Sequence, residues 1–200
     1  MKNRFLIMLT VALLAATMCT AGCNFKVGDT TTSSQSPTPT VISPTPTFVP
    51  QNNPGYLNYT NSSLGFKIQY PSSWEVTPGK MTATFDLPGT AVAFVAGSED
   101  LSGSKLPLDE YVQASISSIK RSENLTNFVV LNTTDTALAG HPAKELIFTT
   151  TSDGISMQGK LVITVADNTG YFVLYMATIG VYPDQVATAN NMIKSFNIIT

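Results

Sequence analysis

The chain has 200 residues, 43% of them hydrophobic, with 11 Lys and Arg against 13 Asp and Glu and a formal net charge of −2. A slightly acidic chain without basic runs argues against nucleic acid as a partner, and its single histidine cannot build the His-rich metal sites of many hydrolases.

The N-terminus has the pattern of an export signal. Lys2 and Arg4 precede an uncharged stretch, Phe5 to Gly22, made mostly of Leu, Ile, Val, Ala and Met. It ends in Thr20-Ala21-Gly22-Cys23, small residues ahead of a cysteine, which resembles the lipobox of prokaryotic lipoproteins. Thr20 departs from that motif, which has an apolar residue there, most often Leu. The resemblance implies that residues 1–22 are a signal peptide and that Cys23 becomes the lipid-attached N-terminus. The protein would then sit on the extracytoplasmic face of the cell membrane, a partner it reaches through its lipid. The alternative is an uncleaved anchor, because Phe5 to Gly22 just reaches bilayer-spanning length. Loss of residues 1–22 leaves nine of the 11 basic side chains against 13 acidic ones. The only other cysteine is Cys19, so the exported part can form no internal disulfide and depends on its core.

Residues 23–55 form a lipidated N-terminus and stalk. From Gly28 the composition turns to Thr, Ser and Pro, as in Ser36-Pro37-Thr38-Pro39-Thr40, which cannot build a core. Alternating prolines favour an extended polyproline II chain of about 3.1 Å per residue, giving a reach of roughly 85 Å.

Residues 56–200 have the size of one domain. Apolar alternation and β-branched or aromatic clusters predict strands at Phe66 to Tyr70, Thr82 to Leu87, Ala91 to Ala96, Phe128 to Thr133, Ala143 to Thr151, Ser156 to Val165 and Tyr171 to Thr178. Asp153-Gly154 suits a tight hairpin, and Asp167-Asn168-Thr169-Gly170 separates the next two strands in the same way, giving an antiparallel meander. Tyr171 to Met176 is apolar on both faces, as in a central strand covered on both sides. Two helices are expected. In the first, Leu108, Val112, Ser115 and Ile119 share a face after Pro107, with Asp109 and Glu110 at the positive end of the dipole. In the second, Val186, Ala189, Ile193 and Phe196 align between Pro183-Asp184 and Lys194, which predicts that Ile193 and Phe196 are buried from the helix. The fold class is therefore α+β, an antiparallel β-sheet flanked by helices.

Three strings in this order resemble the PsbP-like family, named for an extrinsic protein of the photosynthetic water-oxidising complex. They are Leu64-Gly65-Phe66-Lys67-Ile68-Gln69-Tyr70-Pro71-Ser72-Ser73-Trp74, Leu138-Ala139-Gly140-His141-Pro142-Ala143-Lys144-Glu145-Leu146 and Met192-Ile193-Lys194-Ser195-Phe196. The resemblance implies an α/β/α sandwich and no particular reaction. Physically, Trp74 suits the plug of a core edge, and Gly140-His141-Pro142 suits a turn feeding the next strand.

Catalytic chemistry finds little support. His141 beside Pro142 reads as an exposed turn residue, not a ligand or general base, and neither a Gly-x-Ser-x-Gly elbow nor a phosphate-cradling Gly-Lys-Ser/Thr loop is present. Glu99-Asp100 and Asp109-Glu110 pair acids without the spacing of a calcium loop, and read as solvated loop and helix-cap charges. No catalytic, cofactor-binding or metal residue is assigned and no cofactor is expected; lipid attachment at Cys23 is the one assigned site. The leading expectation is a non-enzymatic binding or accessory domain docking on a protein partner in a membrane or envelope complex. The alternatives are a small-ligand or metal-ion-binding domain, with Tyr111, Tyr175 and Tyr182 lining a cleft between sheet and helix, or a hydrolase with an unrecognised site.

Overall fold

The computed structural model describes residues 54–199. The signal peptide, Cys23 and all of the stalk before Pro54 lie outside the described residues. The elements follow as β1 (Tyr56–Asn61), β2 (Phe66–Pro71), β3 (Glu75–Pro78), β4 (Thr82–Asp86), β5 (Ala93–Asp100), α1 (Leu108–Lys120), β6 (Thr126–Leu138), β7 (His141–Ser152), β8 (Ile155–Ala166), β9 (Thr169–Thr178), α2 (Tyr182–Ser195) and β10 (Asn197–Ile198). Seven strands make an antiparallel sheet in the order β3-β4-β5-β9-β8-β7-β6, and β1-β2-β10 make a small second sheet. The fold is α+β, as the sequence pattern implies.

The large sheet carries a core on each face, and strand periodicity decides which residue goes where. Along β9, Tyr171, Val173, Tyr175 and Ala177 enter one core, while Phe172, Leu174 and Met176 enter the other. The first core is closed by Phe66, Ile68 and Tyr70 of β2 and by Tyr182, Ala189 and Met192 of α2. The second is closed by Tyr111, Val112 and Ile119 of α1. Double coverage accounts for the unbroken apolar run of β9, and Trp74 is buried in the first core as expected.

Both long hairpins of the meander turn on two left-handed residues, Asp153-Gly154 and Asp167-Asn168, the backbone that matches strand twist. Gly170 lies beyond its turn, inside β9, where a Cβ would come within 2.5 Å of the Tyr111 ring. Its role is close packing under α1, not turn formation.

Several boundaries differ from the sequence expectation. Phe196 caps α2 in extended backbone instead of ending its apolar stripe, yet is 1% exposed. Ile193 packs only partly against the core, and Met192 takes the fully buried place. The third turn is Ala139-Gly140, both at positive φ, so His141 and Pro142 already belong to β7, opposite Leu138 and Ala137. Strands β1, β3 and β10 carry too little alternation to be seen in the sequence, and β6 continues five residues past Thr133, to Leu138.

Candidate functional site

The α2 side of the large sheet is not covered evenly. Helix α2 packs on β2 and β9, which leaves the outer part of the same face, on β6 and β7, open. Because Leu146 and Phe148 point into the opposite core, alternation turns Glu145, Ile147 and Thr149 of β7 toward this open side. Their partners on β6 are Thr134, Asn132 and Val129. All three β6 residues are exposed, and the three on β7 are partly exposed. Val129 is 54% exposed and its neighbour Leu131 57%. Strand β6 is also the free edge of the sheet. Two register shifts, between Thr126 and Val129 and between Val130 and Asn132, bend its first half, as bulges do at sheet edges. Leu131 is the residue left unpaired by the second shift.

A polar seam borders this face where it meets α2. Lys160 of β8 lies 3.2 Å from a Glu145 carboxylate oxygen and donates a 3.0 Å hydrogen bond to Asn190 Oδ1 of α2. The lysine side chain is 12% and the glutamate 26% exposed, so this pair is screened far less than a surface ion pair. A second group lies on the opposite side of β7, where Lys144 bridges Asp135 at 2.6 Å and Asp109 of α1 at 3.3 Å. Those two carboxylates hold the lysine charged above its ordinary range, with the Asp135 hydrogen bond the larger cause. Both lysines thus have counter-charges. Apart from Glu145, which is paired with Lys160, the open face presents hydroxyl, amide and aliphatic groups.

The residues weighed for chemistry scatter. His141 stands partly exposed at the start of β7. Glu99 and Asp100 close β5 instead of lying in a loop, and they separate. Glu99 accepts a 3.1 Å hydrogen bond from the Tyr111 hydroxyl, and burial raises its pKa against that bond. Asp100 accepts the Ser102 backbone N–H at 2.8 Å, which lowers its pKa. Asp109 serves Lys144, while Glu110 points to solvent. The three tyrosines are core residues: Tyr111 is 4%, Tyr175 0% and Tyr182 8% exposed. Tyr175 donates a 2.8 Å hydrogen bond to the Tyr182 carbonyl, and the two rings lie 4.9 Å apart. Burial is the main cause of the upward shift of all three hydroxyls. A tyrosine-lined cleft between sheet and helix is therefore not what they form. Among the described residues no group of three or more His, Cys, Asp or Glu is close enough to hold a metal ion.

The open face was missed in the sequence because a strand exposed on both sides has no apolar alternation. The available signal was its threonine content, in Asn132-Thr133-Thr134-Asp135-Thr136, since β-branched residues favour strands even without burial.

Among solved structures, the chain is similar in fold to the cyanobacterial PsbP protein of Synechocystis, with a TM-score of 0.59 at 10% identity, over 78% of this chain and 99% of that one. It is also similar to the Ran-binding protein Mog1p of Saccharomyces cerevisiae, with a TM-score of 0.53 at 8% identity, over 72% of this chain and 95% of that one. No protein-family model and no curated protein matches the sequence. Identities this low establish a shared architecture, the α+β sandwich of PsbP, and leave partner and activity to be argued from this chain's own surface.

Proposed function

We propose that the protein is an extracytoplasmic lipoprotein, anchored through Cys23, whose domain is a non-enzymatic binding module that docks on a protein of a membrane or envelope complex. The observation that carries the docking reading is the open β6–β7 face. There a long free edge strand and an apolar pair, Val129 and Leu131, stand exposed beside a seam whose charges are already paired. Exposed apolar groups set among neutral hydrogen-bonding side chains are what a protein interface of ordinary composition uses. The anchoring reading rests on the Thr20-Ala21-Gly22-Cys23 string and the Pro/Ser/Thr-rich stretch after it. Mog1p, which shares this fold, is a Ran-binding protein, in keeping with a scaffold that works by binding.

A photo-crosslinker placed at Thr134 of the full chain, expressed in its native membrane, tests the docking reading. Mass spectrometry should find one protein joined through Thr134 and none through the same group placed at Asn168, in the turn between β8 and β9. Equal or absent crosslinking at the two positions overturns it. Intact mass tests the anchor: a mature chain beginning at lipid-modified Cys23 is expected, and a chain that retains residues 1–22 overturns that part.

A further inference from the structure

The two ends of the large sheet differ in character. At one end lie the turns Asn61 to Gly65, Ala139-Gly140 and Asp167-Asn168 and the loop from Asp100 to Lys105, whose Leu101 N–H bonds the Asn168 carbonyl at 2.8 Å. These are Asn, Ser, Gly, Asp and Lys for the most part, and among the described residues Met81, 38% exposed, is the one large exposed hydrophobic residue near them. At the other end Ile155 opens β8 and Ile179 follows β9, 42% and 46% exposed. Ile179 donates its N–H at 3.2 Å to the carbonyl of Ser156, the residue after Ile155, so the two isoleucines stand on adjacent strand ends. Ile179 lies in the strand-to-helix turn, which an isoleucine does nothing to stabilise, and Ile155 faces water at the first position of β8; exposed together at one end of the sheet, they call for an occupant.

The direction of β1 indicates which occupant. Phe66 at the start of β2 stacks on Phe196, which touches Tyr171 at the start of β9. Tyr70, near the end of β2, lies against Phe85, which is opposite Phe94 and so in line with Tyr175. Strand β2 therefore runs the same way as β9, toward Ile179. Its antiparallel partner β1 begins at that end, with Tyr56 opposite Pro71 and Gly55 accepting the Ser72 N–H at 2.8 Å. Leu57, the second residue of β1, is 48% exposed. The 53 residues that precede the described chain thus join the domain at the same end as the exposed isoleucines.

We propose that this end is a membrane-contacting tip, in which Ile155 and Ile179, with Leu57 at the same end, enter the interfacial region of the bilayer to which the N-terminus is fixed. The inference rests on the anchoring reading above and adds an orientation to it. A stalk joined at this end leaves the tip free to turn toward the lipid, and once there the apolar side chains leave water for the headgroup–acyl boundary. Asp153 and Asp184 stand exposed at this end, and so do Arg121 and Glu123 in the turn before β6, so its charges are of both signs with acids in excess and the contact does not call for anionic lipid. With its tip down, the domain holds the β6–β7 face upright and open to a neighbour in the membrane.

The test uses the full chain, isolated with its lipid and reconstituted into phosphatidylcholine vesicles. Residues 56–200 contain no cysteine, so Ile155→Cys, Ile179→Cys and, at the opposite end, Asn168→Cys each introduce one labelling site for an environment-sensitive fluorophore, with the parent chain as blank. Brominated phosphatidylcholine should quench the labels at 155 and 179 several-fold more than the label at 168. If the chain floats with the vesicles but quenching at the three positions is equal, the tip proposal fails while the anchor stands. If the chain does not float, the anchoring reading fails and the tip goes with it. If the labels at 155 and 179 become shielded only in native membranes and not in protein-free vesicles, a protein covers this end and the lipid assignment is wrong.

Discussion

The ring of Phe196, the first residue past helix α2, lies stacked on Phe66 of β2 with centroids 5.2 Å apart and planes at 28°. Tyr171 of β9 meets the same ring edge-on at 6.3 Å. One side chain near the end of the chain thus joins the small sheet to the large one. Phe196→Ala should cost about 3 to 5 kcal/mol, the range for a large buried aromatic side chain, against a total stability commonly about 5 to 15 kcal/mol. Urea denaturation measures it. A loss under about 1 kcal/mol would mean that the ring lies at the surface in solution.

Packing across the sheet sets a second prediction. Gly159 of β8 has the Phe148 ring of β7 lying over it, and a Cβ there would stand 2.3 Å from Phe148 Cζ. Since Phe148 is itself wedged against Phe128 at 5.0 Å and is 1% exposed, the ring has little room to withdraw. Gly159→Ala should lower stability by about 1 to 3 kcal/mol, as overpacking does. Paired with Phe148→Leu, the alanine should cost clearly less, which a double-mutant cycle would read directly.

A pH effect follows from a cross-strand pair of acids. Glu75 of β3 sits opposite Asp86 of β4, and Asp86 Oδ1 is buried with no hydrogen-bond partner among the described residues. Burial, reinforced by the Glu75 charge, pushes the Asp86 pKa up from 3.8 to about 6. The folded state therefore holds this proton more tightly than the unfolded chain does. Its contribution to stability is fully present below pH 3.8 and is lost as pH rises through about 6. With the carboxyl half-buried and partly screened by solvent, the effect should be about 1 kcal/mol. Asp86→Asn should raise the melting temperature at pH 7 and flatten its slope between pH 4 and 6, roughly the window of the shift. An unchanged slope would show that Asp86 titrates normally.

The legibility of this chain follows burial. Strand β9 was readable because its two covered faces force an apolar residue at nearly every position, and the hairpins because Asp153-Gly154 and Asp167-Asn168 supply backbone that few other pairs accept. Strand β6 was only half readable because it buries little, and the open face on it for the same reason: exposed strand residues leave no periodic trace until the strands are placed side by side. His141 was misplaced by one step, since Ala139 takes a positive φ that the sequence gives no reason to expect. Tyr175 and Tyr182, which one alternative reading places along a cleft, are core residues. There Tyr175 spends its proton on the backbone carbonyl of Tyr182, a partner that only the fold supplies.

The functional prediction sets the open face against the single histidine. Thr134 and Thr149 lie on one side of paired strands with little of their bulk in either core, so arginine at either position should leave the fold intact while placing a charge and a long side chain on the proposed interface. Like most surface substitutions, each should change stability by no more than about 0.5 kcal/mol. A partner that docks there would meet an unpaired charge and lose binding, whereas an activity centred elsewhere would be unaffected. His141→Ala should be silent in both respects, because His141 stands at a hairpin end and no catalytic group has been placed beside it. Deleting residues 56–200 should abolish activity completely. The comparison can be made by complementing a deletion strain, with membrane association and thermal melting measured in parallel. If the two arginine variants keep full activity while His141→Ala loses it in a folded, membrane-bound protein, docking through β6 and β7 is the wrong mechanism and a site built around His141 must replace it.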